Sequence, residues 1–305
     1  MRPSQLCNLL VLLFVTAPFS AGAAQPAAPA VEFKALPVAG SVHVLAGGGG
    51  NVAVCVGEDG LLLVDSANPG LGEPLAAAVA KLSERPVRLV LNTHWHFDHV
   101  GGNEYLAQRG AIVVAHESVR QRMSSLQRLG ALGREVPPSP PAALPMVTYA
   151  DTLALHINGE EVRVLHIAPA HTDGDSFVKF EKANVLHVGD VFFNGFYPFI
   201  DVNAGGSIDG MLAAVDRALT LANDETQIIP GHGPLAHLPE LRAYRQMLQT
   251  VRDRVRELVQ QGKTRDEVIA AHPTQDLDAQ WARGGMAPDV FVGVVYDGMK
   301  AKPTP

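Results

Sequence analysis

Residues 93–99 carry four side chains that could bind a metal ion within one short segment. The segment reads Thr-His-Trp-His-Phe-Asp-His, so its candidate ligands are His94, His96, Asp98 and His99. Imidazole nitrogens and carboxylate oxygens are ligands that suit Zn²⁺. Because side chains alternate along an extended segment, the first three candidates point to one side. His99 then requires a turn, and the Gly-Gly pair shortly after it provides the flexibility for one.

The elements around this segment are expected to hold it rigidly. Val87–Asn92 is mostly apolar and predicts a buried strand, which would place the ligands on a loop at the end of a fixed scaffold. Three more potential ligands follow later in the chain, each beside a strand or in a short loop. They are His171 in a His-Thr-Asp-Gly-Asp sequence, Asp190 after Val-Gly, and His232 between two glycines.

These four motifs, in this order, resemble those of the metallo-β-lactamase superfamily, and the resemblance covers residues 41–235. It implies an α/β fold, the αββα sandwich of two mixed β-sheets flanked by helices. It also implies two zinc ions per chain, with Asp190 bridging them. By this resemblance, the first metal is held by His94, His96 and His171, and the second by Asp98, His99 and His232.

The resemblance predicts a zinc-dependent hydrolase. Two bound cations lower the pKa of a bridging water toward about 7, which supplies hydroxide near neutral pH. Asp98 is the candidate catalytic residue, because it lies near the hydroxide and could orient it or accept its proton. The expected substrate is a small acyl compound, namely a β-lactam, a lactone or a thioester.

Two other functions remain open from the sequence alone. One is an iron-dependent sulfur dioxygenase, which shares part of this ligand set. The other is a metal-binding accessory protein of an exported redox system. Occupation of all seven ligand positions favours two metals and catalysis, and an aspartate at position 190 resembles the glyoxalase II-type site. The segment after His232, however, does not carry the glutathione-binding pattern of that enzyme.

Some neighbouring residues are candidates for supporting roles. The family carries an aspartate after an early strand, and Asp65 matches it, so we expect Asp65 to contact a ligand imidazole. His166 and His187 flank the ligand segments closely enough to do the same. Four of the eleven phenylalanines lie between positions 192 and 199. They could form core packing or an apolar wall of the substrate pocket.

The first 24 residues have the order typical of a secretory signal peptide. Arg2 precedes an apolar run from Leu9 to Val15, and small residues follow at Ala23 and Ala24. A proline and polar residues interrupt this run well before the roughly 20 apolar residues that a membrane span needs. We therefore expect processing near position 23 or 24 and an exported protein, periplasmic or secreted, without a membrane span.

The composition favours a small-molecule substrate and excludes nucleic acid as a partner. The chain has 24 Lys and Arg against 31 Asp and Glu, a formal net charge of −7, and loss of Arg2 makes it one unit more negative. Binding to a phosphate backbone requires the opposite charge. Processing would leave Cys55 as the remaining cysteine, which reads as a buried strand residue. The sequence leaves the oligomeric state undetermined.

The pattern of elements predicts one domain over residues 41–305, with the core motifs in 41–235. Residues 25–40 form a Pro/Ala-rich leader, expected to be extended and poorly packed. Strand patterns predominate in the first part of each half, and segments with helical spacing follow. The long helix after Leu241 has the clearest spacing, but the sequence assigns the C-terminal helices no role.

Overall fold

The structure, a computed structural model, describes residues 31–167 and 169–301. The predicted signal peptide lies outside these residues and stays a prediction. Within the described ranges the chain forms fourteen strands: β1 (Lys34–Ala39), β2 (Val42–Ala46), β3 (Val52–Cys55), β4 (Leu61–Val64), β5 (Val87–Leu91), β6 (Ile112–His116), β7 (Gln127–Leu129), β8 (Arg134–Val136), β9 (Val147–Tyr149), β10 (Thr152–Ile157), β11 (Glu160–His166), β12 (Ser176–Phe180), β13 (Val185–His187) and β14 (Gln227–Ile229).

Nine α-helices occur in the same ranges, and none of them combines the length and apolar character that crossing a membrane requires. They are α1 (Gly72–Ala80), α2 (Phe97–Val100), α3 (Asn103–Ala107), α4 (Glu117–Met123), α5 (Ile208–Leu221), α6 (Leu238–Gln260), α7 (Arg265–Ala270), α8 (Asp278–Trp281) and α9 (Pro288–Lys300).

Two mixed sheets form the centre of the fold. The first has the order β1-β2-β3-β4-β5-β6-β9, antiparallel up to β4 and parallel from β4 onward. The second has the order β10-β11-β12-β13-β14, and its last pair is parallel. The antiparallel hairpin β7-β8 lies apart from both sheets.

Helices cover the outer face of each sheet, which confirms the predicted αββα sandwich. Between the sheets, Val44 and Leu62 of the first share an apolar cluster with Val164 and Phe180 of the second. A second cluster joins the first sheet to α1 and α3, and a third joins the second sheet to α5, α6 and α9. Because both faces of the central strands are buried, a strand such as β4 is apolar at every position.

The leader prediction is wrong for its last residues. Strand β1 lies inside the range 25–40, and it pairs with β2 in an antiparallel register. Leu36 and Val38 pack against the cluster between the sheets, which gives this segment a partly buried face. Pro37 is tolerated because β1 is the edge strand of its sheet and needs no second hydrogen-bonding partner. The domain therefore begins before residue 41.

Local signals mark the ends of the later helices. Ser207 caps α5, its side chain accepting a hydrogen bond from the backbone N–H of Gly210. Helix α6 ends before Gly262, whose φ of 79° suits a residue after a helix C-terminus. Thr264 forms a capping box with Glu267 at the start of α7. The sequence analysis did not identify α9, although it buries four large apolar side chains against α6 and α7.

Candidate metal centre

The seven predicted ligands lie where strands of both sheets end. Strand β5 leads into the ligand segment, and His96 is the extended residue that begins the short helix α2. The turn that His99 requires is the first turn of this helix, so it does not depend on glycine flexibility. Glycine is needed nearby for a different reason. A Cβ on Gly101 would lie 2.1 Å from the backbone nitrogen of Pro69.

The ligand atoms form two neighbouring groups. In each group, the imidazole nitrogens and carboxylate oxygens all lie within 4.8 Å of one another. One group contains His94, His96, His171 and Asp190, and the other contains Asp98, His99 and His232. The structure therefore brings together every residue that the sequence assigned to the site, from four separate segments of the chain.

Asp190 lies between the two groups. One of its carboxylate oxygens, Oδ1, is 3.1 Å from Nε2 of His99. The other, Oδ2, is 3.5 Å from Nε2 of His171 and 3.4 Å from Nε2 of His232. This position matches the one that the resemblance implied for a bridging carboxylate.

The site is closed on one side and open on the other. The rings of His94, His96, His99 and His171 are buried, as is Asp190. The side chains of Asp98 and His232 are 18% and 24% exposed, so they form the open side. Any substrate must therefore approach past these two residues.

Several buried ligand atoms make no hydrogen bond, as expected for atoms that bind a cation. Nε2 of His94 makes no hydrogen bond to any residue that the structure describes. Nε2 of His99 and Oδ1 of Asp190 lie 3.1 Å apart, but they do not have hydrogen-bond geometry with each other or with another described residue. Leaving a buried polar atom without any partner costs about 1–3 kcal/mol. In addition, Nε2 of His171 lies 2.8 Å from Nδ1 of His96. Nitrogen lone pairs that converge in this manner, together with carboxylates, fit Zn²⁺.

Asp65 holds His99 in place, as the sequence analysis expected. Its carboxylate accepts hydrogen bonds from the backbone N–H of Thr93 at 2.7 Å, from the Thr93 hydroxyl at 2.8 Å, and from Nδ1 of His99 at 2.8 Å. The residue is fully buried and has a φ of 69°, an uncommon conformation for a non-glycine residue. Asp65 thereby leaves the other ring nitrogen of His99 facing the site.

Asp201 has the equivalent role for His96, and the sequence analysis missed it. Its Oδ2 accepts a hydrogen bond from Nε2 of His96 at 3.0 Å, and the residue is buried. No local pattern distinguishes Asp201, because its partner is 105 positions earlier in the chain. Two further hydrogen bonds hold His171 in place. Its Nδ1 donates to the backbone carbonyl of Phe199, and its backbone N–H donates to the carboxylate of Asp175.

The carboxylates of the site oppose the effect of burial on the neighbouring histidines. Burial lowers the pKa of His94 and of His171 below the ordinary value, so both favour the neutral form that binds metals. Burial also acts against protonation of His232, but Asp190 and Asp98 outweigh it and raise the pKa of His232 to about 9. Asp190, Asp98 and Asp65 likewise raise the pKa of His99 well above its ordinary value.

The carboxylates themselves remain ionised. Burial would raise the pKa of Asp98, but the charges of His99 and His232 lower it to about 2. The same competition lowers the pKa of Asp190 well below its usual range. Mutual attraction between the carboxylates and the imidazoles of His99 and His232 thus lowers the pKa of the former and raises the pKa of the latter.

The phenylalanines at positions 192–199 have two different roles: some pack in the core and others contact the candidate metal ligands. Phe192 is fully buried and packs on Tyr244, so it belongs to the core. Phe193 stacks on His232, with a ring separation of 5.1 Å. Phe199 lies 5.6 Å from the ring of His96. Only the last two contact ligand rings among these phenylalanines, which reduces the proposed wall to two side chains.

The two flanking histidines do not hydrogen-bond to a ligand side chain among the described residues. His166 stacks on His116 at a ring separation of 3.7 Å. His187 is buried, and its ring lies beside the backbone carbonyl of Asn51 and the N–H of Gly189. Both have structural roles at the ends of strands β11 and β13.

Comparisons with known proteins agree with this geometry. A sequence profile of the metallo-β-lactamase superfamily matches residues 45–232. A hydroxyacylglutathione hydrolase of Rhodospirillum rubrum is 28% identical over 167 residues, which are 54% of this chain and 55% of that protein. A hydroxyacylglutathione hydrolase of Haemophilus influenzae is 30% identical over 155 residues, or 48% of this chain and 69% of that protein. The chain thus spans little more than half the length of the first of these relatives.

A solved metallo-β-lactamase from Pontibacter korlensis has the same fold. It superposes with a TM-score of 0.58 at 19% sequence identity, and the match covers 72% of this chain and 99% of that structure.

Proposed function

Because this chain belongs to the metallo-β-lactamase superfamily, we propose that it is a zinc-dependent hydrolase that cleaves a small acyl substrate. The convergence of seven ligand side chains, with unpaired buried atoms on His94, His99 and Asp190, supports this function. The first zinc would be held by His94, His96 and His171, the second by Asp98, His99 and His232, and Asp190 would contribute to both.

The presence of the second ligand group favours two cations over one. A mononuclear iron site has less need for Asp98, His99 and His232 together, yet these three converge within the same distance limit as the first group. This argues against the sulfur dioxygenase alternative. The open side of the site, formed by Asp98 and His232, also argues against a purely storage or assembly role, because it gives a substrate access to the metals.

The bound metals would supply the nucleophile, since a water on zinc has a pKa of about 7. The chain's own residues then position the reactants. Asp98 is ionised and partly exposed, and it lies 3.2 Å from Nε2 of His232. Its carboxylate can orient the attacking water and hold the proton that this water loses. Phe193 and Phe199 limit the site on its apolar side.

Thioesters lead the substrate candidates. Both curated relatives described above carry the name hydroxyacylglutathione hydrolase, and that name denotes cleavage of a thioester. The chemistry of the leaving group agrees, because a thiolate can depart without a proton whereas an amine requires one. Lactones are similar in this respect, and β-lactams are the less favoured class.

A substrate panel tests this function. The purified protein would be assayed with a thioester, an aryl ester, a lactone, a chromogenic cephalosporin and a phosphodiester, with zinc and with chelator. We expect chelator-sensitive cleavage of at least one acyl substrate, and we expect Asp98→Asn to reduce kcat by about 100-fold or more. Cleavage of the phosphodiester alone, or of no substrate, would overturn the acyl-hydrolase proposal.

We also propose that the protein is exported and processed near Ala23 or Ala24. The order of Arg2, the apolar run and the small residues supports this location. N-terminal sequencing of the periplasmic or secreted fraction tests it. An intact Met1 on the mature protein would contradict processing.

A further inference from the structure

A cavity of about 410 Å³ lies beside the metal-binding segment, and none of the seven ligand side chains lines it. Its size falls within the range of about 300–1,000 Å³ that is typical of small-molecule sites. Trp95 and Phe97 form one wall. These two residues alternate with His94, His96 and Asp98 along the chain, so the same segment supplies candidate metal ligands and one wall of the cavity.

The cavity is mainly apolar and is continuous with the packing around the metal ligands. Met123 and Val136 line it together with Trp95. All three belong to an apolar cluster that also includes Phe199, whose ring lies 5.6 Å from that of His96. The cavity is thus connected to the ligand rings by continuous side-chain packing.

The loop that lines one part of the cavity also borders the metal centre. Pro69 and Gly70 line the cavity, and they follow Asn68 in the chain. A Cβ on Gly49 would lie 2.5 Å from the Asn68 amide and 2.9 Å from Cβ of Asp98, so these two side chains are neighbours. The cavity therefore lies close to Asp98, on the partly exposed side of the ligand groups.

Three charged side chains line the cavity: Glu104, Arg122 and Arg134. The guanidinium of Arg122 is paired with the carboxylate of Asp173 through two hydrogen bonds of 2.8 and 2.6 Å. Arg134 is exposed, and its guanidinium lies over the Phe97 ring at 4.0 Å. Glu104 is half-buried, as are the apolar side chains of Phe97 and Val136, whereas Trp95 is 2% exposed.

We propose that this cavity binds the acyl chain of the substrate while the carbonyl group lies at the metals. This inference rests on the proposed hydrolase function and extends it, since it selects substrates with an extended, uncharged hydrocarbon acyl group. Each methylene that enters an apolar cavity contributes binding equivalent to about a fourfold change in affinity. The protein should therefore discriminate among acyl chains by length.

Direct binding tests the cavity independently of turnover. The chain has two tryptophans, and Trp281 lies elsewhere, in the core near Tyr244. In the metal-loaded Trp281→Phe protein, Trp95 is the fluorescent reporter, and 8-bromooctanoic acid is the probe because bromine quenches an indole that it contacts. We expect saturable quenching. We expect Val136→Phe, which fills the cavity, to weaken binding about tenfold or more.

A matched variant and a second cavity variant keep this test falsifiable. Val147→Phe makes the same change on the exposed edge strand β9, outside the cavity, and should leave binding unchanged. Pro138→Phe narrows the cavity from an exposed position, so it remains informative if Val136→Phe does not fold. Absence of saturable quenching in the parent, or equal binding by parent and cavity variants, would overturn the inference.

Turnover of an acyl series provides the second test. For acetyl, butanoyl, hexanoyl and octanoyl thioesters of one thiol, kcat/KM should rise with each added methylene, by up to about fourfold. Val136→Phe should remove this dependence while leaving the acetyl thioester unaffected. Acyl turnover without length dependence would overturn the cavity inference alone. Saturable quenching at Trp95 without turnover of any acyl compound would support the cavity while contradicting the proposed hydrolase function.

Discussion

Replacement of the two aspartates behind the ligand histidines should affect the two metals separately. Asp201 contacts His96 of the first ligand group, whereas Asp65 contacts His99 of the second. Asp201→Asn and Asp65→Asn retain the shape of the side chain but remove its charge and one hydrogen-bond acceptor. We therefore expect Asp201→Asn to lower mainly the affinity for the first metal, and Asp65→Asn to lower mainly the affinity for the second.

The size of each effect follows from the contacts. Loss of a partner behind a metal-binding histidine typically lowers metal affinity about 10- to 100-fold, or roughly 1.4–2.7 kcal/mol. Asp201 makes one such contact, at 3.0 Å between buried groups, and its Oδ1 accepts one further hydrogen bond, from the backbone N–H of Ala204. An asparagine side-chain oxygen can retain the second bond, so the metal effect should dominate. Asp65 also accepts two hydrogen bonds from Thr93. Asp65→Asn should therefore lower the free energy of unfolding of the metal-free protein as well, by about 1–3 kcal/mol.

Competitive titration with a chromogenic zinc chelator resolves the two affinities, and thermal unfolding of the metal-free variants measures stability. Asp216→Asn is the control, because Asp216 is an exposed residue of α5 that pairs with Arg245 away from the site. It should leave both affinities unchanged. If Asp201→Asn left both zinc affinities within about twofold of the parent, or weakened only the second metal, the assignment of His96 to the first metal would be refuted.

Three further outcomes are expected. Asp190→Ala should lower the affinity for both metals, because Asp190 lies between the two ligand groups. His171→Ala should lower mainly the affinity for the first metal. Anomalous scattering or metal titration of both variants distinguishes these results. Because the pKa of His232 is raised to about 9 and that of His99 well above its ordinary value, both protons compete with metal, so zinc affinity at the second position should rise with pH, by up to about a hundredfold per unit below pH 9. Calorimetry at pH 7 in buffers of different ionisation enthalpy should detect the released protons, and their absence would contradict protonation of both histidines. Gly231→Ala should reduce both stability and metal content, because its Cβ would lie 1.9 Å from Oδ1 of Asp190; Gly285→Ala, with open space at the Cβ, should change neither.

Local patterns in the sequence, together with the family resemblance, were sufficient to identify the candidate ligands that the structure brings together. His94, His96, Asp98 and His99 are adjacent in the chain, and their residue types restrict the chemistry before any fold is known. The later ligands could be found because each lies in a short motif with glycine or a strand beside it. The spacing of apolar residues indicated strands and helices, and the resemblance to the metallo-β-lactamase superfamily implied their arrangement in two sheets.

Edge elements were less predictable because their signals are weak. Strand β1 contains a proline and two alanines, so its sequence resembles that of the leader before it. Only its pairing with β2 and the burial of Leu36 and Val38 distinguish it. The phenylalanine-rich segment illustrates the same limit, because composition alone does not separate Phe192, in the core, from Phe199, beside the ligand rings.

The sequence by itself determined which side chains can bind metal and in which order they occur, because that information is local. Only the tertiary structure decided what lies behind and beside them. Asp201 is 105 residues from His96, and the cavity draws its walls from the metal-binding segment, α4 and the β7-β8 hairpin. Such contacts depend on how distant segments pack, and a fully buried position can be filled by many combinations of residues. No short sequence pattern therefore predicts these contacts.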